Sequence, residues 1–231
     1  MSEAWDRAAR WWIDAVRDDP ANSTDVLDLL RELVPAPHPG RTLDVGCGEG
    51  QAMRLIGDDI IGTDIAPALL AVAATAGPVV AAELPDVSWC RSEVFHRCIC
   101  VGVIDLIADR RALLHELHRV TQSAGELVVV ANHPVTTAPH AAPMVDPRGE
   151  VFWRWGDYLA AGTVEQDLGD QTVVLHHQPL GDLTTTAADA GWSLDRMIER
   201  GPSAATIARY PEYAGQTHVP TLIGIRWTKR M

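Results

Sequence analysis

A chain of 231 residues, 47% of them hydrophobic and 22% charged, can bury a core of its own and needs no disulfide staples. The formal net charge of −12 argues against a surface that coats DNA or RNA, because phosphate binding needs clustered cations. No apolar run approaches the roughly 20 residues of a membrane helix, and Met1–Arg10 is charged and has no apolar signal core, so a cytoplasmic protein is expected. Cys47, Cys90, Cys98 and Cys100 form no CxxC pair and read as reduced thiols.

In chain order, Trp5, Ala8, Ala9, Trp12 and Val16 recur at helical spacing and predict an amphipathic helix over Ser2–Arg17. Asn22–Ser23 offers capping side chains for a second helix through about Val34, which Pro35, Pro37 and Pro39 end. Short apolar runs then alternate with helical stretches. Strands are expected at Thr42–Val45, Ile60–Thr63, Pro78–Ala81, Phe95–Val101 and Glu126–Ala131. Helices are expected between them at about Glu49–Ile56, Ala66–Ala74 and Arg110–Val120. That alternation implies a parallel sheet with helices on both faces. It lapses between Asn132 and Pro179, where prolines and an aromatic cluster precede two strand-like runs, Thr163–Leu168 and Thr172–His176, joined at Gly169–Asp170. A helix at Asp182–Ala190 and strands at Trp192–Glu199 and Thr221–Trp227 close the chain. The organisation expected is one domain over 1–231: a helical cap (1–34), a cofactor-binding core (41–131), a hairpin-bearing insertion (132–180) and a closing unit (181–231).

Leu43-Asp44-Val45-Gly46-Cys47-Gly48-Glu49-Gly50 carries the chemistry. A strand running into a Gly-x-Gly-x-Gly turn before a helix lets backbone approach a ligand closely, since any Cβ there would occupy the ligand's space. Asp64 closes the next strand, 18 residues after Gly46, and a carboxylate there can accept hydrogen bonds from a ribose diol. A dinucleotide dehydrogenase is the nearest competitor. Its fingerprint needs a glycine three places after the second, where Gln51 stands, and Asp44 sits badly beside a pyrophosphate but suits a cationic amine or sulfonium.

These residues resemble the class I S-adenosylmethionine-dependent methyltransferases, small-molecule branch. The likeness is specific at Leu43–Gly50. It extends through Ile61-Gly62-Thr63-Asp64, Ala82-Glu83-Leu84-Pro85, Leu114–Val130, Asn132-His133-Pro134, Gly156-Asp157-Tyr158-Leu159 and His177-Gln178-Pro179-Leu180, so it covers about Thr42–Trp227. It implies a Rossmann-like α/β fold whose seven-stranded, mostly parallel sheet has an antiparallel last strand. It also implies S-adenosylmethionine as cofactor and S-adenosylhomocysteine as product. By resemblance Asp44, Gly46, Cys47 and Gly48 hold the methionine part, Asp64, Ile65, Glu83 and Leu84 the ribose and adenine, while Val101 and Gly102 line the groove. Two positions depart from the family pattern: Ala81 stands where an adenine-binding acid is common, and Phe95-His96 replaces a Phe-Asp pair.

The acceptor is expected to be a small molecule with an oxygen or nitrogen nucleophile. His133, directly after strand five, is the candidate base; the plainer reading is that it caps the strand end. Trp11, off the stripe of Trp5 and Trp12, is expected to face a ligand, together with Asp105, Trp153, Trp155, Tyr158 and His177. Each has a packing or capping alternative. His115-Glu116-Leu117-His118 is one residue short of a zincin spacing and reads as a surface helix, so no metal is expected. The alternative function is a cofactor-binding protein without methyl transfer, a sensor or partner subunit. The sequence leaves the oligomeric state open.

Overall fold

The computed structural model describes residues 2–34, 40–57, 59–168 and 171–230. Pro35, Pro37, Pro39 and the Gly169–Asp170 junction fall outside them.

Helix α1 (Ser2–Trp11) runs into a π-helical turn, Trp12–Val16, and α2 (Thr24–Leu33) follows. The expected cap of α2 differs. Ser23 makes no side-chain cap; its hydroxyl donates back to the Asp19 carbonyl at 2.7 Å. Then come β1 (Thr42–Val45), α3 (Gln51–Ile56), β2 (Ile60–Asp64), α4 (Pro67–Ala73), β3 (Val79–Ala81), β4 (Phe95–Val101), α5 (Arg110–Val120) and β5 (Thr121–Asn132). Strand β5 begins earlier than its apolar run. Its first residues form an irregular, partly exposed stretch, with Ala124 at φ +61° and a shift of register against β4 between Phe95 and Arg97. Alternation of apolar residues does not report such a stretch.

Beyond β5 lie a short helix α6 (Pro134–Thr137), a hairpin of β6 (Ala142–Val145) and β7 (Val151–Arg154), and a second hairpin of β8 (Gly162–Leu168) and β9 (Gln171–His177). The β6–β7 hairpin was not legible in the sequence: Pro143 within β6 and the exposure of most of its residues remove the period-two signal. Helix α7 (Leu180–Asp189), β10 (Trp192–Arg200), α8 (Ala204–Arg209) and β11 (Leu222–Lys229) complete the chain.

The sheet has seven strands in the order β3-β2-β1-β4-β5-β11-β10. β11 runs antiparallel to both of its neighbours, and the other described pairs are parallel. The implied fold is therefore the one found. Strand β1 is buried along its whole length, as a central parallel strand covered on both faces should be. One face packs Leu29, Leu30 and Leu33 of α2 with Met53 and Leu70. The other packs Leu113, Leu114 and Leu117 of α5 with Trp192 and Trp227. Gly224 permits the close approach of α2: a Cβ there would lie 2.6 Å from Leu33 Cδ1. Strand order reverses between β1 and β4, which opens a crevice at their carboxyl ends, where ligands of such sheets bind.

Candidate cofactor and acceptor site

A cavity of about 230 Å³ opens at that switch point. Its floor is the turn after β1. Gly46, Gly48 and Gly50 all have positive φ (+70°, +53° and +87°), a conformation that side chains with a Cβ rarely adopt. At Gly48 a Cβ would meet no protein atom within 4 Å, and the same holds for Gly102 after β4, where φ is +69°. Both backbones border open space of the kind a ligand fills.

Asp44 on β1 faces this space at 1% exposure, and neither of its carboxylate oxygens has a hydrogen-bond partner. Burial, and then the nearby Asp64 charge, push its carboxyl up to about 8. A buried carboxylate with no donor costs free energy that a bound cation would recover. Asp64 at the end of β2 is held firmly: Oδ2 accepts from Gly48 N and Oδ1 from Ala66 N, each at 2.9 Å. Burial raises its carboxyl, and the backbone hydrogen bonds counter that rise. The bonds fix the carboxylate and leave each oxygen a further lone pair. Glu49, 2% exposed, is neutralised by Arg54, whose Nη2 donates to its Oε1 at 2.6 Å.

Among the described residues, the lining also includes Cys47, Ile65, Glu83, Leu84, Val101 and Asp105, and it holds no lysine, arginine or histidine. The Cys47 thiol is raised, chiefly by burial and then by Asp44, so it stays protonated and unreactive. The two departures from the family pattern have plain consequences. Ala81 is exposed at the end of β3 and Ala82 takes the place in the lining. The His96 ring fills the space over Gly40 that a Cβ there would need.

Over the cavity lie α1 and the β8–β9 hairpin, through Trp5, Trp12, Gln166, Val173 and Leu175. Trp5 and Trp12 pack edge to face, 5.9 Å between ring centroids. Helix α1 is tied to the body at Asp6, whose Oδ1 accepts from Ala68 N at 2.9 Å at the start of α4.

The placement of the other acceptor-side candidates differs from expectation. Trp11 packs with Ala8 and Val173 beside the cavity, while the apolar stripe itself, Trp5 and Trp12, faces it. The reason is that the ligand space lies under the apolar face of α1. His133 does not line the cavity. Its Nδ1 accepts from Val135 N at 3.1 Å and its Nε2 lies 2.8 Å from Glu199 Oε1, so both ring nitrogens are engaged in capping α6 and tying it to β10. With Nδ1 accepting, Nε2 carries the proton, and no lone pair is left for a base role. His177 is bound through Nε2 to the Tyr158 carbonyl (2.8 Å) and through Nδ1 to Thr137 Oγ1 (3.2 Å). Tyr158 Oη accepts from Leu180 N. Trp153 donates to the Val135 carbonyl and stacks on Tyr213, and Trp155 is largely exposed. These four knit the insertion together outside the lining. Sequence periodicity sees an aromatic cluster but not which neighbour each ring meets. His118 lies edge-on to Trp192 and His115 is exposed, so the pair shares no site.

Residues 43–129, which run from β1 into β5, match the family model described as a methyltransferase domain. No curated protein matches the chain. Among solved structures, an S-adenosylmethionine-dependent methyltransferase from Mesorhizobium loti is 24% identical, with 87% of this chain and 96% of that one covered at a TM-score of 0.77. One described in the same terms from Listeria monocytogenes is 18% identical, covering 90% and 98% at 0.78. A Haloferax volcanii methyltransferase, solved with the activator Trm112, is 12% identical, covering 98% and 99% at 0.67. These likenesses establish the fold. The buried, unpartnered Asp44 and the open backbone at Gly48 and Gly102 suit a ligand with a positive charge and an extended body. Residues 43–129 thus match a methyltransferase domain, on a fold that the chain shares with solved S-adenosylmethionine-dependent methyltransferases.

Proposed function

We propose that the chain methylates a small molecule at an oxygen or nitrogen nucleophile. The observation that carries this reading is the roof: α1 and the β8–β9 hairpin lie over the carboxyl ends of β1 and β4 and, through Trp5, Trp12, Gln166, Val173 and Leu175, partly cover the cavity. A covered cavity of about 230 Å³ suits a small acceptor better than a folded protein or a nucleic acid, and the net charge of −12 disfavours a polyanion.

Within the cavity, Asp44, Gly46, Cys47 and Gly48 would hold the methionine end, with Asp44 balancing positive charge. Asp64, Ile65, Glu83 and Leu84 would hold the ribose and adenine, and Val101 and Gly102 would line the groove. S-adenosylmethionine bound there supplies a methyl carbon already activated by its sulfonium. The work left to this chain is alignment and exclusion of water. Fixing both reactants in a near-attack geometry can account for roughly 7–11 kcal/mol of a barrier. The Gly48 and Ala66 amides hold Asp64 still for that purpose, and Trp5 and Trp12 keep solvent out.

Two measurements test the reading. Calorimetric titration should show S-adenosylmethionine and S-adenosylhomocysteine binding the wild type, at least tenfold weaker binding to Asp64→Ala, and no binding of NAD. Methyl-labelled cofactor incubated with the enzyme and a fractionated cell extract should label the low-molecular-weight filtrate. Label confined to the protein or RNA fraction would overturn the small-molecule acceptor.

A further inference from the structure

The cavity presents more carboxylates than its cofactor can use. Among the described residues, five acidic side chains line it: Asp44, Glu49, Asp64, Glu83 and Asp105. Arg54 neutralises Glu49, and on the reading above Asp44, Asp64 and Glu83 serve the cofactor. Asp105 is left over. It stands on the 3₁₀ turn Ile104–Leu106 that follows β4, against strand β9 of the roof. Its Oδ2 is buried and has no hydrogen-bond partner.

The groups facing Asp105 leave Oδ2 unsatisfied. Arg110 of α5 pairs with Oδ1 through Nη2 at 3.9 Å, too far for a hydrogen bond, and does not satisfy Oδ2. Its Nε donates to the Ile104 carbonyl at 2.9 Å and its Nη1 to Gln178 Oε1 at 3.2 Å. Asn132 of β5 donates hydrogen bonds to the carboxylate, while Cys100 of β4 and His176 of β9 add no positive charge, His176 being lowered by burial and then by Arg110. Burial raises the Asp105 carboxyl to about 6 against the pull of Arg110 and Asn132, so it is mostly ionised at neutral pH. The indoles of Trp5 and Trp12 line the same cavity, and indole faces attract cations.

We propose that the acceptor is an amine, held as its ammonium form by Asp105 beneath Trp5 and Trp12, with Asp105 taking its proton before transfer. The assignment rests on the methyltransferase reading. In the step, an ammonium proton passes to Asp105 Oδ2 and frees the nitrogen lone pair. Nitrogen then bonds to the methyl carbon as the carbon–sulfur bond breaks, the bonding pair stays on sulfur, and the sulfonium becomes a thioether. The product is the methylated ammonium, and Asp105 returns its proton to solvent. An alcohol would bring no positive charge to the unpartnered Oδ2, and a carboxylate ligand would place like charges together, so both are disfavoured.

The test is calorimetric titration of the S-adenosylhomocysteine-loaded protein with 2-phenylethylamine, tryptamine and hexylamine, each against its alcohol and carboxylate counterparts. We expect at least one amine to bind tenfold or more tighter than its alcohol, and Asp105→Asn to remove that preference while S-adenosylhomocysteine binds as before. No amine preference in the wild type, or a preference unchanged in Asp105→Asn, overturns the assignment and leaves the methyltransferase reading intact. Should Asp105→Asn fail to fold, the amine-over-alcohol ratio of the wild type decides by itself. Failure of S-adenosylhomocysteine to bind the wild type would instead overturn the cofactor reading, and this assignment with it.

Discussion

At the scale of single residues, the informative side chains are those whose bonding is incomplete. Asp44 is the clearest, buried with two unpartnered oxygens. Its carboxyl lies at about 8 in the folded chain against an ordinary 3.8. Between those values the unfolded state binds fewer protons than the native one, so stability falls as pH rises across that window. The effect has an upper limit of about 6 kcal/mol, since each tenfold change in proton affinity is worth about 1.4 kcal/mol. Asp44→Asn should flatten the dependence: thermal denaturation of the free protein across pH 4–8 should show a smaller fall in the variant than in the wild type. The same variant should bind S-adenosylmethionine at least tenfold more weakly by calorimetry. A variant that binds as tightly as the wild type would remove Asp44 from the cofactor site.

At the scale of elements, the glycine turn and the roof make separate predictions. Gly50 and Gly48 share positive φ but differ in surroundings. A Cβ at Gly50 would lie 3.0 Å from Ala73 Cα, on the backbone of α4, whereas one at Gly48, a lining residue, would meet no protein atom within 4 Å. Gly50→Ala should therefore cost stability, roughly 1–3 kcal/mol by denaturant titration. Gly48→Ala should cost about 1 kcal/mol, for the backbone alone, yet weaken cofactor binding tenfold or more. Equal effects of the two on binding would mean that the cavity does not extend over Gly48. For the roof, the described side chains Trp5, Ala8, Ala9, Trp11, Trp12 and Ile13 join two small clusters with Val173 and Leu69, apart from the two main ones. Deleting them should leave the far-ultraviolet spectrum and a cooperative unfolding transition in place. It should speed S-adenosylhomocysteine dissociation, read by stopped-flow fluorescence, because the lid over the ligand is gone.

At the scale of the whole molecule, a net charge of −12 with raised carboxyls at Asp44, Asp64 and Asp105 means that cation binding is linked to proton release. At neutral pH Asp44 is mostly protonated in the free protein. A bound sulfonium and ammonium favour its ionised form, so its proton must leave. Titrating S-adenosylmethionine at pH 7 in buffers of differing ionisation enthalpy should report release of about 0.5–1 proton per site. S-adenosylhomocysteine, which has lost the sulfonium charge, should release less. Proton uptake would contradict the charge balance described for the site.

The sequence by itself determined the parts whose causes are local. The Asp44–Gly50 turn, the buried strands β1, β2 and β4 and the helix α5 follow from glycine conformational freedom, apolar runs and helical spacing, and each stands close to where those signals put it. Asp64 at the end of β2 was legible for the same reason. Tertiary structure decided the rest, because burial and partners are not properties of a segment. It brought the apolar stripe of α1, Trp5 and Trp12, over the ligand space and turned Trp11 to the hairpin. It engaged Nε2 of His133 with Glu199 and both nitrogens of His177 with Thr137 and Tyr158, residues far along the chain. It left the second oxygen of Asp105 without a donor. Whether a polar side chain caps, braces or waits for a ligand depends on which groups from other elements reach it, and only the folded arrangement fixes that.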